Sequence, residues 1–172
     1  MIEVEVKVKA DHTVVKQAIL DMGAVFSGVE EQSDAYFNSP SRDFAKTDEA
    51  LRVRLVNGAG EITYKGPKMD KVSKTRIEFN SPADAETMKS ILLALGFFES
   101  GFVSKRREIY KLGDFVIGLD RVAGLGDYME VETDVSSEST PDEIKKATDK
   151  IFQFLKSLGI EKDASIKQSY LE

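Results

Sequence analysis

The chain has 172 residues, of which 41% are hydrophobic and 31% charged, a composition typical of a single soluble globular domain. Its net charge of −6 provides no overall basic field that would attract nucleic acid or an acidic membrane. The lack of cysteine excludes disulfides, thiolate metal sites and cysteine nucleophiles, and the single histidine, His12, excludes a multi-histidine metal site. The predicted location is cytoplasmic, because neither an apolar signal segment nor an apolar run of about 18 residues is present.

Periodicity predicts the elements of the first part of the chain. Alternation of apolar and charged residues predicts a strand at residues 1–9, with Glu3, Glu5 and Lys7 on one face. Asp11 is expected to cap a helix that ends at Gly23. Residues 38–49 are expected to form a loop. Further strands, the last two joined by a turn at residues 57–60, are predicted at residues 25–37, 51–56 and 61–65.

The second part of the chain resembles the first. When residues 76–110 are aligned with residues 3–37, Glu5 falls on Glu78 and Gly23 falls on Gly96. We therefore predict one domain over residues 1–172, made of pseudo-repeats at about 1–70 and 74–135 and followed by a helix at 140–158 and a tail. Convergent strand patterning is the alternative explanation of this match.

The fold class predicted from these elements is α+β, an eight-stranded antiparallel β-barrel or tunnel with helices packed outside. In nearly every predicted strand, aliphatic residues alternate with charged ones. The apolar stripes of the helices need burial, and only the apolar face of the sheet can receive them. The charged faces are then expected to line the inside of the barrel.

The density of charge on these inner faces carries the functional prediction. A solvated sheet face would also carry charges, but it is usually diluted by Ser, Thr, Asn and Gln. A charged interior is unfavourable unless its groups are paired with one another or completed by ions and a ligand. Carboxylates suit Mg²⁺ or Mn²⁺, and clustered Lys and Arg suit phosphate oxygens. Together they indicate a site for a metal-bound polyphosphate.

The spacing Glu3-x-Glu5-x-Lys7 at the N-terminus resembles the E-x-E-x-K signature of the CYTH superfamily, the triphosphate tunnel metalloenzymes. Later landmarks of that family follow in the expected order: Arg52-x-Arg54, Lys65, Arg76-x-Glu78, Lys105-x-Arg107, Asp120 and Glu130-x-Glu132. The resemblance implies an eight-stranded tunnel and a reaction on a triphosphate that depends on Mg²⁺ or Mn²⁺.

The resemblance also implies roles for individual residues. The implied metal ligands are Glu3, Glu5, Glu130, Glu132 and Asp120. The implied substrate-binding residues are Lys7, Arg52, Arg54, Lys65, Arg76, Lys105 and Arg107. The residues implied to be catalytic are Lys7, Arg54, Lys65, Arg107 and Asp120.

Within the superfamily the chain looks most like the class IV adenylate cyclases, which convert ATP to cyclic AMP and pyrophosphate. The similarity lies in Asp34-x-Tyr-Phe37, Glu49-Ala-Leu-Arg-Val-Arg54 and Ser169-Tyr-Leu171. Thiamine triphosphatases and inorganic triphosphatases share the tunnel residues and are the alternative, and a non-catalytic polyphosphate-binding module is a third hypothesis. The expected partner is ATP, inorganic triphosphate or thiamine triphosphate. Neither nucleic acid nor a membrane is expected, and the assembly is left open between a monomer and a homodimer.

Overall fold

The computed structural model describes residues 1–71 and 73–171. Its strands are β1 (Ile2–Lys9), β2 (Val25–Asn38), β3 (Ala50–Val56), β4 (Ala59–Lys65), β5 (Arg76–Pro82), β6 (Phe98–Leu112), β7 (Phe115–Val122), β8 (Gly126–Val135) and β9 (Ser165–Ile166). Its helices are α1 (His12–Asp21), α2 (Phe44–Thr47), α3 (Ala85–Ala94) and α4 (Pro141–Ser157), followed by a 3₁₀ turn at Lys162–Ala164.

The first eight strands form an antiparallel barrel in the order β5-β4-β3-β2-β6-β7-β8-β1. The barrel closes where β1 pairs with β5, through Ile2 opposite Ile77 and Glu3 opposite Arg76. The short strand β9 pairs with the other end of β1, opposite Lys7 and Val8. The predicted fold class, an eight-stranded antiparallel barrel with helices outside, is thus confirmed.

Local sequence signals explain where the helices begin and end. Asp11 caps α1 by accepting a hydrogen bond from the backbone N–H of Thr13, and Asp84 caps α3 in the same way. Thr140 and Glu143 form a capping box at the start of α4. The helix predicted at residues 140–158 is therefore present, whereas the predicted loop at 38–49 contains the short helix α2, which sequence periodicity did not indicate.

Two hydrophobic clusters join the helices to the outer face of the barrel. In the larger, Ile19 of α1 and Ile151 and Leu155 of α4 pack on β1, β7 and β8. In the smaller, Leu92 of α3 packs against Val53 and neighbouring side chains of β2 and β3. The helices therefore cover apolar strand faces, which leaves the charged faces turned inward.

The outer face of β5 differs from this pattern. Ile77 and Phe79 are 40% and 62% exposed, and the Phe79 ring stacks on Tyr64 of β4 with centroids 6.1 Å apart. Within the described residues, no helix is long and apolar enough to cross a membrane.

The two halves of the barrel follow the same order of elements. The series β1-α1-β2-β3-β4 is followed by β5-α3-β6-β7-β8, and β2 pairs with β6 where the halves meet. Gly23 and Gly96 end α1 and α3 with φ angles of 95° and 91°, values that favour glycine. This arrangement is what a duplication would produce, and the duplication itself stays a prediction.

Candidate active site

The inside of the barrel holds a cavity of about 610 Å³. Most of the residues predicted for the site line it, because alternate side chains of each strand point inward. The predicted residues that line it are Glu3, Glu5, Arg52, Arg54, Lys65, Arg76, Lys105, Arg107, Glu130 and Glu132. Lys7 and Asp120, also predicted, are fully buried in the wall at 1% and 0% exposure.

Three carboxylates meet on one side of this cavity. Glu3, Glu5 and Glu132 each bring an oxygen atom within 4.8 Å of those of the others. Glu3 and Glu5 are alternate residues of β1, and Glu132 lies opposite Glu5 on β8. Burial and the charge of Glu3 raise the pKa of Glu132. Three oxygen donors that repel one another fit a hard divalent cation such as Mg²⁺ or Mn²⁺.

The predicted ligands Glu130 and Asp120 lie outside this carboxylate group. Arg107 donates two hydrogen bonds to Asp120, at 2.5 and 2.6 Å, and a third to Glu130 at 2.5 Å. The cause is the register, which sets Asp120 opposite Arg107 and Glu130 opposite Gly118. A Cβ atom at Gly118 would lie 2.8 Å from Nε of Arg107, so glycine leaves room for the guanidinium. In this structure Glu130 and Asp120 therefore position an arginine rather than complete the carboxylate group.

The basic side chains face the cavity from the other strands, each held by an acidic or polar neighbour. Arg54 forms a two-bond pair with Asp34 at 2.6 and 2.7 Å. Arg52 donates to the hydroxyl of Thr63 at 3.0 Å. Fixed guanidinium groups of this kind match the oxygens of a phosphate chain.

Lys65 and Arg76 complete the predicted basic set on the closing side of the barrel. Lys65 lies 3.0 Å from carboxylate oxygens of both Glu3 and Glu78. Arg76 is paired more loosely, 3.8 Å from Asp48. The structure therefore brings ten of the twelve predicted site residues to the lining of one cavity, with Lys7 and Asp120 buried in its wall.

Comparison with known proteins agrees with this geometry. The family model of the CYTH domain matches residues 1–170. The chain belongs to the CYTH family. Members of this family act on triphosphates, and the CYTH tunnel enzymes generally depend on divalent metal ions.

Individual relatives narrow the similarity. The chain is 45% identical, over 100% of its length and 98% of the relative, to a protein of Methanocaldococcus jannaschii that is provisionally named as an adenylate cyclase. A solved Pyrococcus horikoshii structure is 40% identical, with a TM-score of 0.88 over 99% of this chain and 96% of that one. A more distant solved structure, at 18% identity and a TM-score of 0.65 over 92% and 88% of the two chains, shares the fold. It is a Hippeastrum protein, provisionally named as an adenylyl cyclase and described as having a dominant triphosphatase activity.

Two lysines of the CYTH tunnel are covered by the C-terminal segment. The ring of Tyr170 lies over Nζ of Lys7, at 4.1 Å from the centroid, and over Nζ of Lys105, at 4.8 Å. The Tyr170 hydroxyl donates to Asp120 at 2.7 Å. Burial and the nearby charge of Lys74 lower the pKa of Lys7 to about 8, and burial with the charge of Arg107 lowers that of Lys105 to about 8.

Sequence reasoning missed Lys74 as a residue that lines this cavity. Its Nζ lies 2.8 Å from an oxygen of Glu5, and its side chain is 14% exposed at the edge of the cavity. Burial alone would lower the pKa of Lys74, but the charge of Glu5 outweighs it and raises that pKa. The available signal was the alternation that places Lys74 on the same face as Arg76 and Glu78. A metal ion bound by Glu5 would therefore compete with the Lys74 ammonium group for that carboxylate.

Proposed function

We propose that this protein is a metal-dependent class IV adenylate cyclase that converts ATP to cyclic AMP and pyrophosphate. The observation that carries the proposal is the joint placement of the carboxylates Glu3, Glu5 and Glu132 and the fixed arginines Arg54 and Arg107 around one cavity. The name of the 45% identical M. jannaschii relative supports the choice of a cyclase within the family.

The residues present define the parts of such a reaction. A divalent cation held by Glu3, Glu5 and Glu132 would supply a Lewis acid for the triphosphate and lower the pKa of the attacking hydroxyl. The ribose 3′-hydroxyl gives its proton to solvent water, and its oxygen bonds to the α-phosphorus as the bond from that phosphorus to the bridging oxygen breaks. Pyrophosphate departs with the electron pair of that bond. Arg54 and Arg107, fixed by Asp34 and Asp120, are placed to stabilise the charge of the leaving pyrophosphate.

The first rival is a triphosphatase, in which water attacks the terminal phosphorus and orthophosphate leaves. The same side chains serve that reaction, since both need a metal ion and a basic grip on the phosphate chain. The second rival is a non-catalytic module that binds a polyphosphate. The carboxylate group formed by Glu3, Glu5 and Glu132 argues against the module, because binding an anion alone needs no cluster of negative charge.

Product analysis separates the three hypotheses. The purified protein is incubated with ATP, inorganic triphosphate or thiamine triphosphate in the presence of Mg²⁺ or Mn²⁺, and the products are separated by chromatography. We expect cyclic AMP and pyrophosphate from ATP, and no product when EDTA is added. Orthophosphate in place of cyclic AMP would establish the triphosphatase, and the absence of product from all three substrates would establish the binding module.

A further inference from the structure

The tunnel changes chemistry along its length. A second cavity, of about 460 Å³, shares Arg54, Arg107 and Glu130 among its lining residues with the main cavity, so the two spaces adjoin. Five strands contribute small or aliphatic side chains to this second cavity: Val56, Ala59, Pro82, Ile109 and Val116. The carboxylates of Glu30, Glu61 and Glu132 line it as well, so the cavity combines aliphatic side chains that suit the face of an organic ring with acceptors for the N–H donors of that ring.

One polar side chain reaches this aliphatic end without a complete set of partners. Gln32 is 2% exposed, lines the second cavity and lies opposite Val56 on β3 and Lys105 on β6. Its Nε2 donates to Oε2 of Glu30 at 2.5 Å. Its Oε1 is buried and accepts no hydrogen bond from residues 1–71 or 73–171. A buried carbonyl oxygen of this kind indicates an absent donor.

The partner of Gln32 fixes which end of the amide is free. An ionised carboxylate only accepts hydrogen bonds, so Glu30 holds the NH₂ end of Gln32 and leaves the carbonyl oxygen for a ligand. Glu30 also lines the second cavity. The second cavity therefore offers two acceptors, the Gln32 carbonyl and the Glu30 carboxylate.

We propose that this end of the tunnel binds an amino-substituted heteroaromatic ring attached to the triphosphate, and that Gln32 selects its exocyclic amino group. The proposal rests on the proposed function for the position of the triphosphate at Arg54 and Arg107, and it adds the identity of the group attached to that chain. An amino group supplies two N–H donors to the two acceptors. A keto group in the same place would set oxygen against oxygen, so Gln32 is a specificity residue. Adenine, cytosine and the aminopyrimidine of thiamine share the required chemistry, and a bare inorganic triphosphate leaves the second cavity unused.

Paired nucleotides that differ at the amino position test the proposal. Dissociation constants are measured by calorimetry in EDTA, which prevents metal-dependent turnover, for ATP against ITP, CTP against UTP, thiamine triphosphate and inorganic triphosphate. We expect the amino-bearing member of each nucleotide pair to bind about tenfold more tightly than its keto counterpart. Whichever of ATP, CTP and thiamine triphosphate binds most tightly identifies the source of the ring.

Substitution of Gln32 tests whether this residue causes the preference for amino-bearing over keto-bearing nucleotides. In Gln32→Leu we expect the ATP-to-ITP ratio to fall to about one, with the affinity for inorganic triphosphate within about twofold of wild type. Gln153→Leu, a change at an exposed position on α4, serves as the control and should alter neither value. Thermal melting verifies the fold of both variants, and the wild-type comparison of ATP with ITP stands even if Gln32→Leu fails to fold.

The outcomes separate this inference from the proposed function. Equal binding of ATP and ITP by the wild type, or an unchanged ratio in a folded Gln32→Leu, would overturn the specificity site while leaving triphosphate binding intact. Failure of every triphosphate to bind the wild type, both in EDTA and with Mn²⁺ present, would overturn both.

Discussion

Individual basic side chains in this tunnel are held by acids, and the pairing decides how each one can act. Arg54 and Arg107 are fixed by two-bond pairs with Asp34 and Asp120, which keeps them charged and oriented. Burial of a charge without such a partner would cost several kcal/mol, about the size of the penalty for breaking a buried pair. Lys105 is more loosely held, 3.6 Å from Asp120, and burial together with the charge of Arg107 lowers its pKa, so its proton is the easier one to lose.

The lowered pKa of Lys105 predicts proton uptake when a triphosphate binds near pH 8. Free Lys105, with a pKa of about 8, is roughly half protonated there, and the negative ligand raises that pKa and draws in a proton. Triphosphate affinity should accordingly weaken as the pH rises above about 8. Calorimetry in two buffers of different ionisation enthalpy measures the number of protons taken up.

Lys105→Arg supplies the matched control, because arginine stays protonated throughout this range. We expect the variant to take up about half a proton fewer than wild type at pH 8. Equal uptake by the two proteins would show that Lys105 is fully protonated before the ligand arrives.

At the same scale, the sequence predicted which side chains face the cavity but not which of them act together. The two-residue period of a strand fixes the inward face, so Glu3, Glu5 and Arg107 could be placed without a structure. That period does not determine the register between neighbouring strands. The register sets Glu132 beside Glu5 and sets Asp120 opposite Arg107, and it thereby separates the carboxylate group from the acids that hold arginine.

Among the elements, the C-terminal segment makes the most contacts that the periodicity of the sequence could not predict. β9 pairs with β1 at Lys7, Tyr170 covers two lysines, and Leu171 packs against Gly101, where a Cβ atom would come within 2.5 Å of the leucine side chain. A strand of two residues carries no alternation to read, so its pairing could not be predicted. The resemblance of Ser169-Tyr-Leu171 to the class IV adenylate cyclases was the only indication in the sequence analysis that this segment belongs to the site.

Two substitutions of Tyr170 should destabilise the fold to different degrees. Tyr170→Phe keeps the ring over Lys7 and removes one donor from Asp120, which retains Arg107, so we expect a loss of about 1 kcal/mol in the free energy of unfolding. Tyr170→Ala also removes the ring and its contacts with two cations, and we expect about 3 kcal/mol. Urea denaturation measures both values, and equal losses would show that the ring contributes nothing beyond its hydroxyl.

For the barrel as a whole, the closing seam between β1 and β5 is the shortest part of the wall. Strand β1 pairs with β8 along its whole length, from Ile2 to Lys9, whereas its pairing with β5 involves Ile2 and Glu3. Charged side chains bridge the seam from inside, since Lys65 contacts both Glu3 and Glu78. The two groups that the proposed reaction uses, metal ligands and phosphate-binding cations, thus also hold the barrel closed.

Ligand binding should therefore slow hydrogen exchange at this seam. With Mn²⁺ and α,β-methylene ATP bound, we expect slower exchange of the β5 amides near Ile77, because the ligand ties the inner faces of β1, β4 and β5 together. Amides near Ile117 in the middle of β7, inside the larger hydrophobic cluster, provide the reference and should change little. Mass spectrometry of peptic peptides measures the exchange of both segments. If the ligand leaves exchange at the seam unchanged, ligand binding does not stabilise the closure of the barrel.

The central claim is that the carboxylates on β1 hold the metal ion on which turnover of a triphosphate depends. The most direct measurement is the rate of ATP consumption with Mn²⁺ by wild type, by Glu5→Gln, which removes one ligand charge and keeps the shape, and by Glu99→Gln at an exposed position of β6. We predict that Glu5→Gln loses activity by about a hundredfold or more while it stays folded at the assay temperature, with a melting temperature lowered by the loss of the pair with Lys74, and that the control keeps wild-type activity and melting temperature. Wild-type turnover by Glu5→Gln would contradict the metal site and the mechanism built on it.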